Sequence, residues 1–129
     1  MKQKAKNTMN AAQVLLNNQQ GTASIHCSYY AVLQYMKYVL ATTTDKKPIP
    51  YSEQVSGTDS SHQFLIAETQ NRIPNYRLKR QFCDGIRTLR QARVEADYTC
   101  KEFSVDEGLR YKQNAEGLIT TLKTNFGNI

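Results

Sequence analysis

Apolar residues along this 129-residue chain recur at steps of three and four, and almost no segment alternates apolar with polar residues as a half-buried strand requires. That spacing confines the chain to helices. Ala5, Met9, Ala12 and Leu16 form one such stripe, widened by Leu15, and predict a first helix over about 4–18 that the polar run Asn17-Asn18-Gln19-Gln20-Gly21 stops. Gly21 suits a helix end, where a positive φ is often needed, and Thr22 or Ser24 is placed to cap the helix that follows. The second helix, over about 23–41, carries Ile25, Tyr29, Val32, Met36 and Val39 or Leu40 on one stripe, with Cys27, Tyr30, Ala31 and Tyr38 around much of the rest. A helix that is apolar beyond one face touches more than one neighbour, so this one is expected at the centre.

The β-branched run Thr42-Thr43-Thr44 and the prolines Pro48 and Pro50 cannot continue that helix, which predicts one long connection over about 42–61. A short third helix starts at Ser60 or Ser61, carries Phe64, Leu65 and Ala67, and must break at Pro74. The fourth, over about 75–99, presents Leu78, Phe82, Ile86, Leu89 and Ala96 on its apolar face. Ser104-Val105-Asp106-Glu107 has the form of a capping box and opens a last helix expected to bury Val105, Leu109, Leu118, Ile119, Leu122 and Phe126. The expected fold is all-α: an antiparallel up-and-down bundle of four long helices and one short one, forming a single domain over 1–129.

With 40% apolar and 22% charged residues, the chain has enough apolar surface to fold. It contains neither a run of about eighteen uncharged apolar residues nor the apolar core of an export signal, so no membrane association is expected. Three widely separated cysteines, Cys27, Cys83 and Cys100, fit a reduced cytoplasmic setting. The excess of 17 Lys and Arg over 11 Asp and Glu leaves a net charge of +6, which favours an anionic partner such as RNA or a nucleotide. The densest basic stretch holds Arg72, Arg77, Lys79, Arg80, Arg87, Arg90 and Arg93, interrupted only by Asp84.

Several catalytic patterns are absent from the sequence: no glycine-rich phosphate loop, no Gly-x-Ser-x-Gly, no His-Glu-x-x-His and no Glu-x-x-His. His26 and His62 have no acid or thiol at helical ligand spacing, apart from Asp59 three residues before His62. Both read as isolated structural histidines, and neither a metal nor a cofactor is expected. Unrolled at about 100° per residue, the fourth helix sets Arg93 and Asp97 side by side at the edge of its apolar face. Arg90 and Lys79 lie just beyond, while Arg77, Arg80 and Arg87 point away. Such a pair either stabilises the helix or holds an arginine ready for a phosphate. Tyr29, Tyr30, Tyr35 and Tyr38 on the central helix supply rings that serve as core or as stacking surfaces for bases.

Ser28-Tyr29-Tyr30-Ala31 on the second helix, His62 followed by Phe64 and Leu65, and Leu89-Arg90-Gln91-Ala92-Arg93-Val94-Glu95-Ala96-Asp97-Tyr98 together resemble the HEPN domain family. Ser104-Val105-Asp106-Glu107 and a closing helix with Ala115 and Leu118-Ile119 extend the similarity to its small stand-alone branch, over nearly the whole chain. The resemblance implies a helical bundle, commonly dimeric, from toxin–antitoxin, defence and nucleotidyltransferase-linked systems. Many members are metal-independent ribonucleases whose arginine is followed four to six residues later by histidine. Here those positions after Arg93 hold Asp97, Tyr98 and Thr99. The expectation is therefore a module without ribonuclease activity that forms a homodimer and acts with a nucleotidyltransferase-fold partner, binds RNA or a nucleotide through Arg90, Arg93, Tyr30 and Lys79, or does both. One alternative is an endoribonuclease built on Arg93, Asp97 and Tyr98. Another is a structural adaptor whose dimer interface is Tyr30, Ala31 and Tyr38.

Overall fold

The computed structural model describes residues 1–44, 46–54 and 59–126. Its helices are α1 (Lys2–Asn17), α2 (Gly21–Thr42), α3 (Asp59–Asn71), α4 (Tyr76–Tyr98) and α5 (Val105–Asn125), with a single 3-10 turn at Tyr51–Glu53 and no strand among the described residues. The all-α bundle expected from the spacing is the fold found. α2 is its axis: Ile25, Tyr29, Val32, Leu33, Tyr35, Met36, Val39 and Leu40 are all buried, and the helix packs against each of the other four.

The four long helices alternate in direction. Lys2 at the start of α1 reaches the ring of Tyr38 near the end of α2, and Arg93 late in α4 reaches Tyr29 early in α2. α3 breaks the alternation. His62 in its first turn meets Tyr29, whereas Arg72, one residue past its end, donates to the Lys47 carbonyl beside the C-terminal end of α2. α3 therefore runs in the same direction as α2, and the long connection is a crossover that carries the chain back up the bundle. Its described part is fastened to α2: Ile49 N–H donates to the Leu40 carbonyl, and the buried Gln54 amide donates to the carbonyls of Lys37 and Ile49.

Three details differ from the reading of the sequence. Gly21 does not end α1 with a positive φ; that conformation belongs to Gln19 (φ 62°), and Gly21 is the first residue of α2. Nor does a side chain cap α2. Thr22 Oγ1 instead accepts from the Phe103 N–H at 2.8 Å, and Ser24 Oγ donates to the Gly21 carbonyl at 2.6 Å. The capping box of α5 is present as expected, with Ser104 accepting from Glu107 N–H and Glu107 accepting from Ser104 N–H. Leu118, Leu122 and Phe126 are buried on α5, but Leu109 is 39% exposed and Val105 only partly covered, because the first turn of α5 faces the bundle through Gly108, and Ile119 is only partly buried against the core.

Gly21 is required by a close approach. A Cβ there would overlap the carbonyl oxygens of Phe103 and Ser104, which are backbone atoms with no side-chain freedom to yield. Gly21→Ala should push the start of α2 away from the α4–α5 turn and cost about 1–3 kcal/mol, read as a lower denaturant midpoint at an unchanged m-value.

Candidate functional site

The apolar stripe of α2 leaves His26, Tyr29 and Tyr30 along one edge, at the helical spacing that stacks side chains on a common face. α4 crosses that edge with Arg90, Arg93 and Asp97, and α3 brings His62 to it. Arg93 is the centre of the group. Its side chain is only 3% exposed, and its guanidinium lies 5.0 Å from the ring centre of Tyr29, 5.6 Å from Tyr30 and 5.8 Å from Tyr98. One Nη is 3.6 Å from Asp97 Oδ2, Tyr98 shares a hydrogen bond with the group, and Nε is buried with no hydrogen-bond partner.

Burial alone would lower the Arg93 pKa, but the rings of Tyr30 and Tyr29, the Asp97 carboxylate and the Tyr98 hydrogen bond outweigh it and raise the pKa above its ordinary value. A cation over a ring in a dry setting is worth up to about 2 kcal/mol, so these contacts go far toward offsetting the loss of water around the charge.

The histidines do not stand alone in space. His26 Nδ1 is 2.8 Å from Asp97 Oδ2, and its ring lies 4.6 Å from that of Tyr30. A carboxylate only accepts, so this bond places the proton on Nδ1 and leaves Nε2 as the acceptor of a half-exposed imidazole. His62 is buried, with Nδ1 3.1 Å from the Tyr29 hydroxyl and its ring 5.8 Å from both Tyr29 and Tyr30. Arg90 also hydrogen-bonds the Tyr29 hydroxyl. Cys27 beside the group is held as a thiol, since burial and the Asp97 carboxylate both raise its pKa. No group of three or more His, Cys, Asp or Glu side chains among the described residues is placed to hold a metal ion.

The structure thus brings together Arg90, Arg93, Asp97, Tyr98 and Tyr30, and adds His26, His62 and Tyr29. It leaves other candidates out. Lys79 is fourteen residues before Arg93 on the same helix, roughly 20 Å away along its axis. Tyr38 lies about 12 Å down α2 from Tyr30, against Tyr35 and Lys2. Ala31 is fully buried within the protomer, so it has no surface to offer a second copy.

Tyr29, fully buried, has its pKa raised above the ordinary 10.0, by burial first, with Arg90 and Arg93 pulling the other way. Tyr35 is raised in the same sense by burial and by Tyr38. Above about pH 10 the unfolded chain releases phenolic protons that the folded chain retains, so stability should be flat up to that pH and fall beyond it. Chemical denaturation across the alkaline range should show this decline, and show it less steeply for Tyr29→Phe.

The family model for the HEPN domain matches residues 1–125. Comparison with curated proteins returns no match. That span covers all five helices and every residue of the Arg93 cluster, and the chain belongs to the HEPN domain family.

Proposed function

We propose that the Arg93 cluster binds the phosphate backbone of RNA and cleaves the strand without a metal. The observation that carries this reading is the His26–Asp97 hydrogen bond at 2.8 Å beside a buried arginine. A carboxylate that orients an imidazole through Nδ1, leaving Nε2 to take a proton, is the arrangement general-base catalysis needs. In the proposed step His26 Nε2 accepts the proton of a ribose 2′-hydroxyl, and the 2′-oxygen bonds to phosphorus. The bond from phosphorus to the 5′-oxygen breaks, and that oxygen takes a proton from the exposed Tyr98 hydroxyl or from water. Arg93 and Arg90 supply positive potential for the phosphate charge, and Tyr30 a ring against which a base can rest. No helix of the described residues is long and apolar enough to cross a membrane, which is compatible with a cytoplasmic RNA substrate.

The burial of Arg93 favours a second reading. Its side chain is 3% exposed and its guanidinium lies among Tyr29, Tyr30 and Tyr98, a position suited to holding α2, α4 and Asp97 together rather than to gripping a scissile phosphate. In that reading the module binds RNA or a nucleotide without cutting it, and works as a homodimer with a nucleotidyltransferase-fold protein in a toxin–antitoxin or defence-type system.

Incubating single-stranded RNA with the protein in EDTA separates the two. Cleavage leaving 2′,3′-cyclic phosphate ends, reduced about 100-fold or more in His26→Ala and in Asp97→Asn, is the expected result. RNA that is retained but uncut, with log affinity falling by about 0.7 per neutralised phosphate for each log unit of salt, would establish the binding-only reading instead.

A further inference from the structure

A second concave site lies on the other side of α2. Tyr35 is five residues past Tyr30, which turns it about 140° around the helix and away from the Arg93 cluster. There a groove of about 630 Å³ opens between the N-terminal half of α1 and the C-terminal half of α5, a volume typical of small-molecule pockets. Its floor is aliphatic, formed by Ala5, Met9 and Ile119, and closed at the back by Tyr35. Tyr35 is 3% exposed and its hydroxyl is buried without a hydrogen-bond partner.

The rim is cationic. Lys2, Lys6 and Lys123 line it, and none of the three has an ion-pair partner among the described residues. Lys2 and Lys123 rest instead 5.9 Å from the ring centres of Tyr38 and Tyr35. The one acid of the lining, Glu116, is already paired with Lys112 at 3.1 Å. Three uncompensated ammonium groups around an apolar floor favour an occupant with one anionic head and an apolar body.

The composition of the wall selects among such occupants. Ammonium groups act as point charges and hold an anionic head without fixing its orientation, so the apolar floor decides the body. The only ring of the groove is too deeply buried to stack on a base, whereas the methionine thioether and the alanine and isoleucine methyls fit an alkyl chain. We propose that this groove binds an aliphatic carboxylate, with the chain over Ala5, Met9 and Ile119 and the head between Lys2, Lys6 and Lys123. The site is independent of the RNA reading, since it shares no residue with the Arg93 cluster.

Titration of the folded protein with decanoate below its micelle concentration, followed by calorimetry and by amide chemical shifts, tests this. The expected result is saturable one-to-one binding with shifts confined to the first half of α1, the second half of α5 and the Tyr35 region. Decanol should bind at least tenfold more weakly, Lys6→Gln and Lys123→Gln should each weaken decanoate about tenfold, and Lys79→Gln should leave it unchanged. Decanol binding as well as decanoate, an undiminished affinity in both lysine variants, or stronger lysine-dependent binding of AMP than of decanoate would each overturn the proposal.

Discussion

A positive charge with almost no water around it is the demand that organises this protein. Arg93 can be buried between α2 and α4 only because three phenol rings and one carboxylate surround it. Each of those groups then constrains something else. Tyr29 must face inward, which sets its hydroxyl against His62 and so fixes where α3 begins. Asp97 must turn toward α2, which puts it within reach of His26. The turn after α4 is held in place by Lys101 on Glu95 and by Phe103 packed against Ile25, Ala92 and Tyr111, so the end of α4 stays beside the start of α2.

The same geometry explains how a histidine can serve a site in which the linear pattern lacks one. Four residues after Arg93 the helix carries Asp97, and the neighbouring helix supplies His26 to that carboxylate. An arginine, a carboxylate and an imidazole are therefore grouped, as the proposed acid–base chemistry would use them, with the imidazole contributed from 71 residues away. Chemistry is set by which atoms are adjacent, and adjacency between helices leaves no trace in spacing along either one.

Periodicity made the helices readable almost to the residue, because each buries one stripe and each stripe repeats at three and four. The capping box of α5 and the break at Pro74 were equally plain, since both are local chemistry. Arg93 and Asp97 could be paired for the same reason: they share a helix. His26 and His62 could not, because their partners Asp97 and Tyr29 belong to other helices. The one available signal was that His26 shares an edge of α2 with Tyr29 and Tyr30, the edge facing Arg93. Gly21 was misread for a related cause. A glycine at a close backbone crossing and a glycine at a helix end look alike until the crossing partner, here the α4–α5 turn, is known.

The distance along the chain between His26 and Asp97 also governs when the site can exist. During synthesis α1 and α2 emerge first and can pair locally, and at that stage His26 faces no carboxylate from α4 and Tyr29 no guanidinium. The crossover must then place α3, and α4 must dock along α2, before any of the cluster is complete. Local fraying of a terminus leaves the group intact, whereas undocking of α4 removes Arg90, Arg93, Asp97 and Tyr98 together. The cluster is thus present in the docked bundle and absent from the nascent or partly unfolded chain, so its existence reports on the docking of a single helix.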